Sequence, residues 1–451
     1  MARRIYILEG FPEEIIAVAF AKTSRSPDPF DQTAKELNDD KARQFHERWV
    51  VGYGHSSVAE HAVLHIAMEG VSRLAVERIE SARLASYTEK STRYQTITKD
   101  SFLFPEEFSG KYDKQYEEFI DFVYRAYSES LDAFIPYFKE RMQKKEGEQD
   151  KAYEIRVRAA SLDRARFLLT NSMLANVGMT VNARELERCL VKLLSSNVKE
   201  VRDIAEEIKR EALKATPTLV KYANPSAYIQ ECEAHYFAIH REERSGNAEP
   251  VRLMHYTRDG VIRVIAAIMF RHSGLDYEQC YKKAMAMTAE ERKSYLSKAL
   301  SVGSFDTPVR ELEQSSYTFE LVMDEGAFCE FKRHRILSPV YQKPSALLGY
   351  YMPKEFAEVG KEGLFREAME RSEGLYKEIE KEMPEQAEYA ITNAHNRRVL
   401  VTMNARELYH YIRLRASPAA HFTIREITQK MHEELKKMHP EIFEPLKPRE
   451  K

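Results

Sequence analysis

Hydrophobic positions along the first 85 residues predict two kinds of element. Residues 4–8 (RIYIL) and 62–69 (AVLHIAME) are short, mostly apolar runs and predict strands. Residues 12–22, 32–52 and 70–84 place their apolar residues three and four apart, which predicts helices. The chain therefore opens as a mixture of strands and helices.

The middle of the chain is mostly helical by the same criterion. A long helix is predicted from about 110 to 143, where recurring aromatic residues indicate packing rather than a cofactor site. Further helices are predicted at 157–175 and from 182 to about 215. Residues 225–250 lose the periodic pattern and are interpreted as a linker.

After this linker the sequence repeats itself. Residues 181–186 (VNAREL) return as residues 403–408 (MNAREL), an offset of 222. Residues 333–338 occupy the place of residues 81–86, an offset of 252, and residues 315–324 predict a strand like that at 62–69. The first copy therefore carries about thirty extra residues, for which the long aromatic helix is the natural place.

Two tandem copies of one α/β (α+β) unit are the predicted architecture. Each copy is expected to hold a mixed or antiparallel sheet with flanking helices. The predicted boundaries are 1–224 for the first repeat, with a helical insertion at about 105–150, 225–250 for the linker, and 251–451 for the second repeat.

Composition excludes several classes of protein. The 69 basic and 71 acidic residues nearly cancel, and no basic stripe points to nucleic acid. The four cysteines lie far apart without a CxxC pair, which argues against a zinc site and a disulfide framework. No signal-peptide pattern or bilayer-length apolar run is present. We expect a soluble cytoplasmic protein without a membrane partner.

The stretch 81–94 holds a candidate ligand site. Glu89, Ser91 and Arg93 alternate with period two, so an extended segment would point all three side chains to one face. An acid, a hydroxyl and a guanidinium on one face suit a ligand with a phosphate and hydrogen-bonding edges. The alternative is a polar turn whose charges face water.

The repeated helix holds a second candidate. Asn404 and Arg415 are eleven residues apart and therefore share a helix face, about three turns from each other. The first copy keeps the amide as Asn182 and ends in Leu193. Capping of the helix N-terminus explains both asparagines equally well. Cys189, on the same face, is interpreted as a buried, inert thiol.

His55, Glu60 and His61 suggest a metal site at first sight. Their spacing fits neither common helical zinc motif, and no third ligand cluster follows, so we predict no metal. A histidine that follows glycine in a loop could instead contact a cofactor ring or a reacting base.

Together these motifs resemble flavin-dependent thymidylate synthases: a Gly-His-x-Ser loop, an Arg-His-Arg segment, a Glu-x-Ser-x-Arg triplet and an Asn-x-Arg helix. The resemblance implies a homotetramer of half-length subunits that binds FAD, dUMP and methylenetetrahydrofolate between subunits, with NADPH reducing the flavin. For two fused copies it implies a homodimer that mimics this tetramer. No cysteine nucleophile is implied.

The resemblance also implies roles for individual residues. Nucleotide binding falls to Glu89, Ser91, Arg93, Arg166 and Arg415, and catalysis to Arg415, His55 and Ser91. Cofactor binding falls to His55, Ser57, Glu60, Arg83, Asn182, Arg184, Arg333, His334, Arg335, Asn404, Arg406 and His410.

Neither half matches the family pattern in full. The first half departs from it at Ser81, Ala82 and Leu193. The second half departs from it at Phe305 for the loop histidine, Arg310 for the loop glutamate, Tyr341, Lys343 and Ser345 for the triplet, and Glu388 for an arginine. Because each half keeps much of what the other lost, we predict composite sites.

Two alternatives stay open at this point. A related flavin enzyme could act on another pyrimidine or one-carbon donor, with the unusual segment 338–344 reshaping the pocket. A catalytically inactive protein that binds nucleotide or flavin is the other.

Overall fold

The computed structural model describes residues 3–24, 26–52, 55–92, 97–241, 243, 245–246, 248–304 and 306–450. Its strands are β1 (Val63–Ser72), β2 (Ser86–Glu89), β3 (Leu174–Asn182), β4 (Val251–Tyr256), β5 (Ser316–Asp324), β6 (Ser338–Tyr341) and β7 (Asn396–Asn404). Its α-helices are α1 (Glu13–Lys22), α2 (Phe30–Glu36), α3 (Asp39–Phe45), α4 (Arg73–Ile79), α5 (Asp113–Arg141), α6 (Asp150–Ala165), α7 (Ala183–Leu194), α8 (Lys199–Ala215), α9 (Ala227–His240), α10 (Gly260–His272), α11 (Tyr277–Ala286), α12 (Ala289–Leu300), α13 (Glu325–Phe331), α14 (Glu355–Glu358), α15 (Glu362–Glu380), α16 (Ala405–Arg415), α17 (Phe422–Met438) and α18 (Pro440–Phe443).

The chain divides into two compact units. Unit 1 consists of Met1–Asp163, Leu169–Arg244 and Lys377–Ala390, and unit 2 of Arg164–Leu168, Ser245–Tyr376 and Ile391–Lys451. Each unit therefore contains a short segment from the other half of the sequence.

The sheet of unit 1 has the strand order β1-β3-β2, with both pairings antiparallel. Side chains of β3 alternate strictly, and Val177, Met179 and Val181 point into the core. The register of β1 shifts between Met68 and Val71, where the strand bulges.

The sheet of unit 2 has the order β4-β5-β7-β6 and is also antiparallel throughout. Phe319 of β5 and Val401 of β7 face each other in the register and are fully buried. The same β7 strand runs directly into α16, as β3 runs into α7. The two units therefore repeat one arrangement, which confirms the predicted fold class.

The two helices that follow β1 and β5 begin at side-chain caps. The hydroxyl of Ser72 accepts a hydrogen bond from the backbone N–H of Ala75, and the carboxylate of Asp324 accepts one from Ala327. These caps stop the strands, so the helix predicted at 70–84 is shorter than expected: β1 continues to Ser72 and α4 ends at Ile79.

The connection that follows β2 is about thirty residues longer than the corresponding connection that follows β6. The chain runs from Glu89 to Leu174 between β2 and β3, but only from Tyr341 to Asn396 between β6 and β7. The longer connection contains α5 and α6. The shorter one contains a single long helix, α15, preceded by the four-residue α14.

Other local predictions were wrong. Residues 4–8 form no strand, and Ile5 and Ile7 are 90% and 83% exposed. The helix predicted at 157–175 ends as α6 at Ala165. In the segment 225–250, residues Ala227–His240 form α9, which begins at the cap of Ser226. Across the described part of the chain, no helix combines the length and apolar character that crossing a bilayer requires.

Candidate active site

A chain of hydrogen bonds in unit 2 joins two residues that the sequence singled out. The Nε–H of Arg415 donates to Nε2 of His334 over 3.0 Å, and Nδ1 of His334 lies 3.2 Å from a carboxylate oxygen of Glu407. Glu407 stands in the first turn of α16 and Arg415 is its last residue. The helix therefore brings its two ends to one histidine.

The geometry settles the protonation of this histidine. Arginine keeps its proton, so Nε2 of His334 must accept, and Nδ1 must carry the hydrogen that Glu407 accepts. Burial lowers the pKa of His334, and the Glu407 carboxylate only partly offsets this. His334 is 6% exposed and neutral.

The guanidinium of Arg415 has a second partner. Its Nη1 lies 2.8 Å from a carboxylate oxygen of Glu330, the penultimate residue of α13. Both side chains are mostly buried, which strengthens the pair relative to one in water. The sequence analysis did not identify Glu330 or Glu407. A signal was available, because Glu407 lies on the same helix as Arg415 and Glu330 lies on the helix just before the Arg-His-Arg segment.

The first repeat has lost this arrangement. The offsets place Ala82 at the position of His334, Leu193 at that of Arg415 and Arg78 at that of Glu330. Arg78 instead pairs with Glu388, whose two carboxylate oxygens accept from its Nη2 at 2.8 and 2.7 Å. A carboxylate thus stands in unit 1 where the family pattern expects an arginine.

The stretch 81–94 is only partly extended. Glu89 ends β2 and pairs with Arg73, the first residue of α4, and both side chains are 11% exposed. Ser91 lies beyond the strand and is half-buried, and Arg93 lies outside the described residues. The shared face predicted for the triplet is therefore not formed by one strand.

The two loops that precede β1 and β5 carry the same ion pair. Glu60 pairs with Arg184 in unit 1, and Glu313 pairs with Arg406 in unit 2. The backbone agrees, because the N–H of Ala183 bonds to the carbonyl of Ala62 as that of Ala405 bonds to Ser315. The loop glutamate of the second repeat is therefore Glu313, and its predicted loss at Arg310 was wrong.

Capping explains the two repeated asparagines. The side-chain oxygen of Asn182 accepts from the N–H of Glu185, and that of Asn404 from Glu407, both over 2.9 Å. Each amide thus starts its helix. The side-chain oxygens are used by the caps, so the predicted cofactor binding by Asn182 and Asn404 now concerns only their side-chain NH₂ groups.

The comparison with protein families shows the family to which these motifs belong. The chain matches the family described as "Thymidylate synthase complementing protein" (Thy1) twice, over residues 8–218 and 252–441. The chain belongs to this family. The two matched segments agree with a tandem duplication of the family's unit.

Individual relatives fall into two groups. A UPF0159 protein of Chlamydia muridarum is 30% identical over 477 residues, covering 97% of this chain and 90% of that protein. A flavin-dependent thymidylate synthase of Sulfolobus acidocaldarius is 32% identical over 231 residues, covering 49% of this chain and 75% of that protein.

Among solved structures, the flavin-dependent thymidylate synthase ThyX of Helicobacter pylori, complexed with FAD and dUMP, covers 44% of this chain and 99% of its own. It is 19% identical, with a TM-score of 0.34.

Arg166, predicted from the sequence to bind the nucleotide, lies in unit 2 although the first half encodes it. Its carbonyl accepts from the side-chain amide of Asn393 over 2.9 Å. Its charge acts on Asp324, the cap of α13: burial raises the pKa of Asp324 to about 6, and Arg166 limits the rise. Arg166 and Arg415 are thus placed in one unit.

Several of the family-matched residues lie at the surface. His55, Ser57, Arg83, Arg333, Arg335 and His410 are exposed. The ring of His410 lies 5.6 Å from that of His334, so it borders the buried hydrogen-bond chain. Phe305 lies outside the described residues.

The described residues contain no group of three or more histidine, cysteine or acidic side chains placed to hold a metal ion. Burial raises the pKa of the Cys189 thiol to about 12, so at neutral pH it is protonated and a poor nucleophile.

Proposed function

We propose that the chain catalyses the reductive methylation of dUMP at C5. Methylenetetrahydrofolate would donate the carbon, and FAD would carry hydride from NADPH. Membership in the thymidylate synthase complementing family supports this proposal, as does the 32% identity to a protein named as a flavin-dependent thymidylate synthase.

The observation that carries the proposal is the placement of Arg166 in the same unit as Arg415. Arg166 comes from the first half and Arg415 from the second, yet both belong to unit 2. A guanidinium suits a nucleotide phosphate, because its planar donors match the phosphate oxygens. We propose that Arg166 binds the phosphate of dUMP.

Arg415 is proposed to act on the base. Its guanidinium is held at Nε by His334 and at Nη1 by Glu330, which orients the group before substrate arrives. Such a fixed cation would polarise a uracil carbonyl and stabilise negative charge that develops on the ring. The contributions of Ser91, Arg93 and His55 remain predictions from the sequence.

The surface around His334 suits FAD. Arg333 and Arg335 are exposed on either side of the buried histidine, and two guanidinium groups match a diphosphate. Reduced FAD, when bound, would supply the hydride that converts the transferred methylene to methyl. In the balanced reaction C5 of dUMP loses a proton, gains the methyl group, and tetrahydrofolate leaves.

Assembly is part of the proposal. A chain with two copies of the family's unit is expected to form a homodimer, in which four units are arranged with approximate 222 symmetry.

Release of tritium from [5-³H]dUMP tests the reaction. The purified protein is incubated without oxygen with FAD, NADPH and methylenetetrahydrofolate. Release of tritium to water together with formation of dTMP supports the proposal. Flavin binding without release of tritium would overturn it.

A catalytically inactive homologue that binds nucleotide or flavin is the second candidate. Two ion pairs of unit 1, Arg73–Glu89 and Arg78–Glu388, favour it. Glu89 and Glu388 stand at positions of the family's nucleotide motif, and each carboxylate is bound to an arginine of the same unit. Under that reading dUMP binds, but neither tritium release nor dTMP follows.

A further inference from the structure

Glu407 lies in a position that the motif comparison does not explain. It is 7% exposed, stands in the first turn of α16, and faces His334 rather than solvent. We propose that Glu407 is a positioning residue: it holds His334 in the tautomer that accepts from Arg415 and so sets the orientation of the Arg415 guanidinium. This inference rests on the proposed function, because it assumes that Arg415 acts on the pyrimidine.

The argument follows from the two nitrogens of the ring. A neutral imidazole carries one hydrogen, on either Nδ1 or Nε2. With the hydrogen on Nε2, the ring would point it at the Nε–H of Arg415, and the 3.0 Å contact would become repulsive. A carboxylate at Nδ1 favours the opposite tautomer, because it can only accept.

Apart from Arg415, whose N–H already requires Nε2 to accept, the other groups around His334 do not select its tautomer. The ring of Tyr411 packs against that of His334 in a T-shaped arrangement, with 4.8 Å between centroids. His410 lies 5.6 Å away by the same measure, and Glu330 contacts Arg415 rather than the histidine. Burial lowers the pKa of His334, which keeps the ring neutral, and Glu407 at Nδ1 then reinforces the tautomer that Arg415 requires at Nε2.

The first repeat provides a matched control. Glu185 occupies the place of Glu407 in α7, and its N–H is likewise capped, by Asn182. The histidine position is Ala82 there, so Glu185 has no ring to orient. Both carboxylates also stabilise their own helix, because a negative charge is favourable at a helix N-terminus. Loss of that stabilisation would be the same in Glu407→Gln and Glu185→Gln.

The experiment compares Glu407→Gln with Glu185→Gln. A glutamine amide can accept or donate, so the tautomer of His334 is then held by Arg415 alone. We expect Glu407→Gln to lower kcat by about tenfold and to change the KM for dUMP by less than about threefold. The loss in kcat should be smaller than that of Arg415→Leu, because the guanidinium is still present but less well oriented. Glu185→Gln should leave both parameters unchanged.

Nitrogen NMR of the histidine rings gives a readout that does not depend on activity. In the wild-type protein labelled with ¹⁵N-histidine, His334 should show a protonated Nδ1 and an unprotonated Nε2. His334→Asn identifies its signal. Glu407→Gln should move both shifts toward a mixture of tautomers, whereas Glu185→Gln should not.

Glu407→Asp is the second variant, for the case in which Glu407→Gln does not fold. It keeps a charge at the helix N-terminus but shortens the side chain, so the bond to His334 should be lost and kcat should fall similarly. An unchanged Nδ1–H tautomer in either variant overturns the inference, as does an equal loss of kcat in Glu185→Gln. If tritium release is absent even from the wild type, the proposed function fails, and the tautomer measurement still tests the hydrogen-bond argument.

Discussion

Both carboxylate oxygens of Glu388 accept hydrogen bonds from Nη2 of Arg78, although 310 residues separate the two in sequence. The carboxylate is 2% exposed and the guanidinium 20%. The pair ties a turn encoded in the second half to a helix of the first half within unit 1.

Removal of one partner should destabilise unit 1. Arg78→Met leaves the Glu388 carboxylate buried without its cation, which costs about 3–5 kcal/mol. The double variant Arg78→Met/Glu388→Met should recover much of this loss. Thermal unfolding of the three proteins measures the effect. Lys214→Met is the control: it removes a partner from the exposed pair with Glu211 and should change stability by less than about 1 kcal/mol.

Arg415→Leu converts the second repeat to the residue present at Leu193. Loss of an oriented donor at the developing charge should lower kcat by about 10²-fold or more, with a smaller change in nucleotide affinity. Steady-state kinetics and dUMP titration measure the two separately. Undiminished turnover would show that Arg415 does not act on the base.

One nucleotide per chain is the expected stoichiometry. Arg166 remains only in the first repeat, and its counterpart, Glu388, is an anion that would repel a phosphate. Calorimetric titration of the flavin-bound protein with dUMP should give one site per chain. Arg166→Met and Arg93→Met should each weaken binding by about 1.5–3 kcal/mol. Two nucleotides bound per chain would contradict the composite arrangement.

Light scattering tests the assembly. A homodimer should scatter as a particle of about twice 52.5 kDa. A stable monomer that binds FAD and turns over dUMP would show that neither the flavin nor the nucleotide site requires a second chain.

Acid should destabilise the protein through His395. Burial lowers the pKa of this histidine from 6.5 to about 4, so the unfolded chain binds a proton that the folded chain does not. The contribution of His395 to the free energy of unfolding is fully present above pH 6.5, and roughly 3 kcal/mol of it is lost as the pH drops toward 4. Asp324, whose pKa is raised to about 6, has the opposite effect below pH 6: its folded form binds a proton more tightly than the unfolded form, so acid stabilises the fold at this residue.

His395→Asn isolates the histidine, because Asp324 is present in both proteins. The difference in unfolding free energy between wild type and variant should shrink as the pH falls from 6.5 to 4. A difference that stays constant over this range would show that His395 does not titrate in this way.

The sequence alone determined the features that depend on neighbours along the chain. The repeat, the long aromatic helix α5 and the strands at β1 and β5 follow from the spacing of residues along the chain. Spacing left capping and ligand binding equally open for Asn182 and Asn404, and the hydrogen bonds of the structure show the caps. The family resemblance follows from short motifs of the same kind.

Only the tertiary structure decided which distant charges meet. It paired Arg78 with Glu388, and it placed Arg166 in the unit of Arg415. It also identified Glu313 as the loop glutamate of the second repeat, three residues from the predicted position Arg310, because the ion pair with Arg406 defines the equivalent residue. Which charged side chains pair over long sequence distances depends on how the helices and strands pack. The hydrophobic pattern of a sequence predicts those elements but does not say which charged residue will lie beside which.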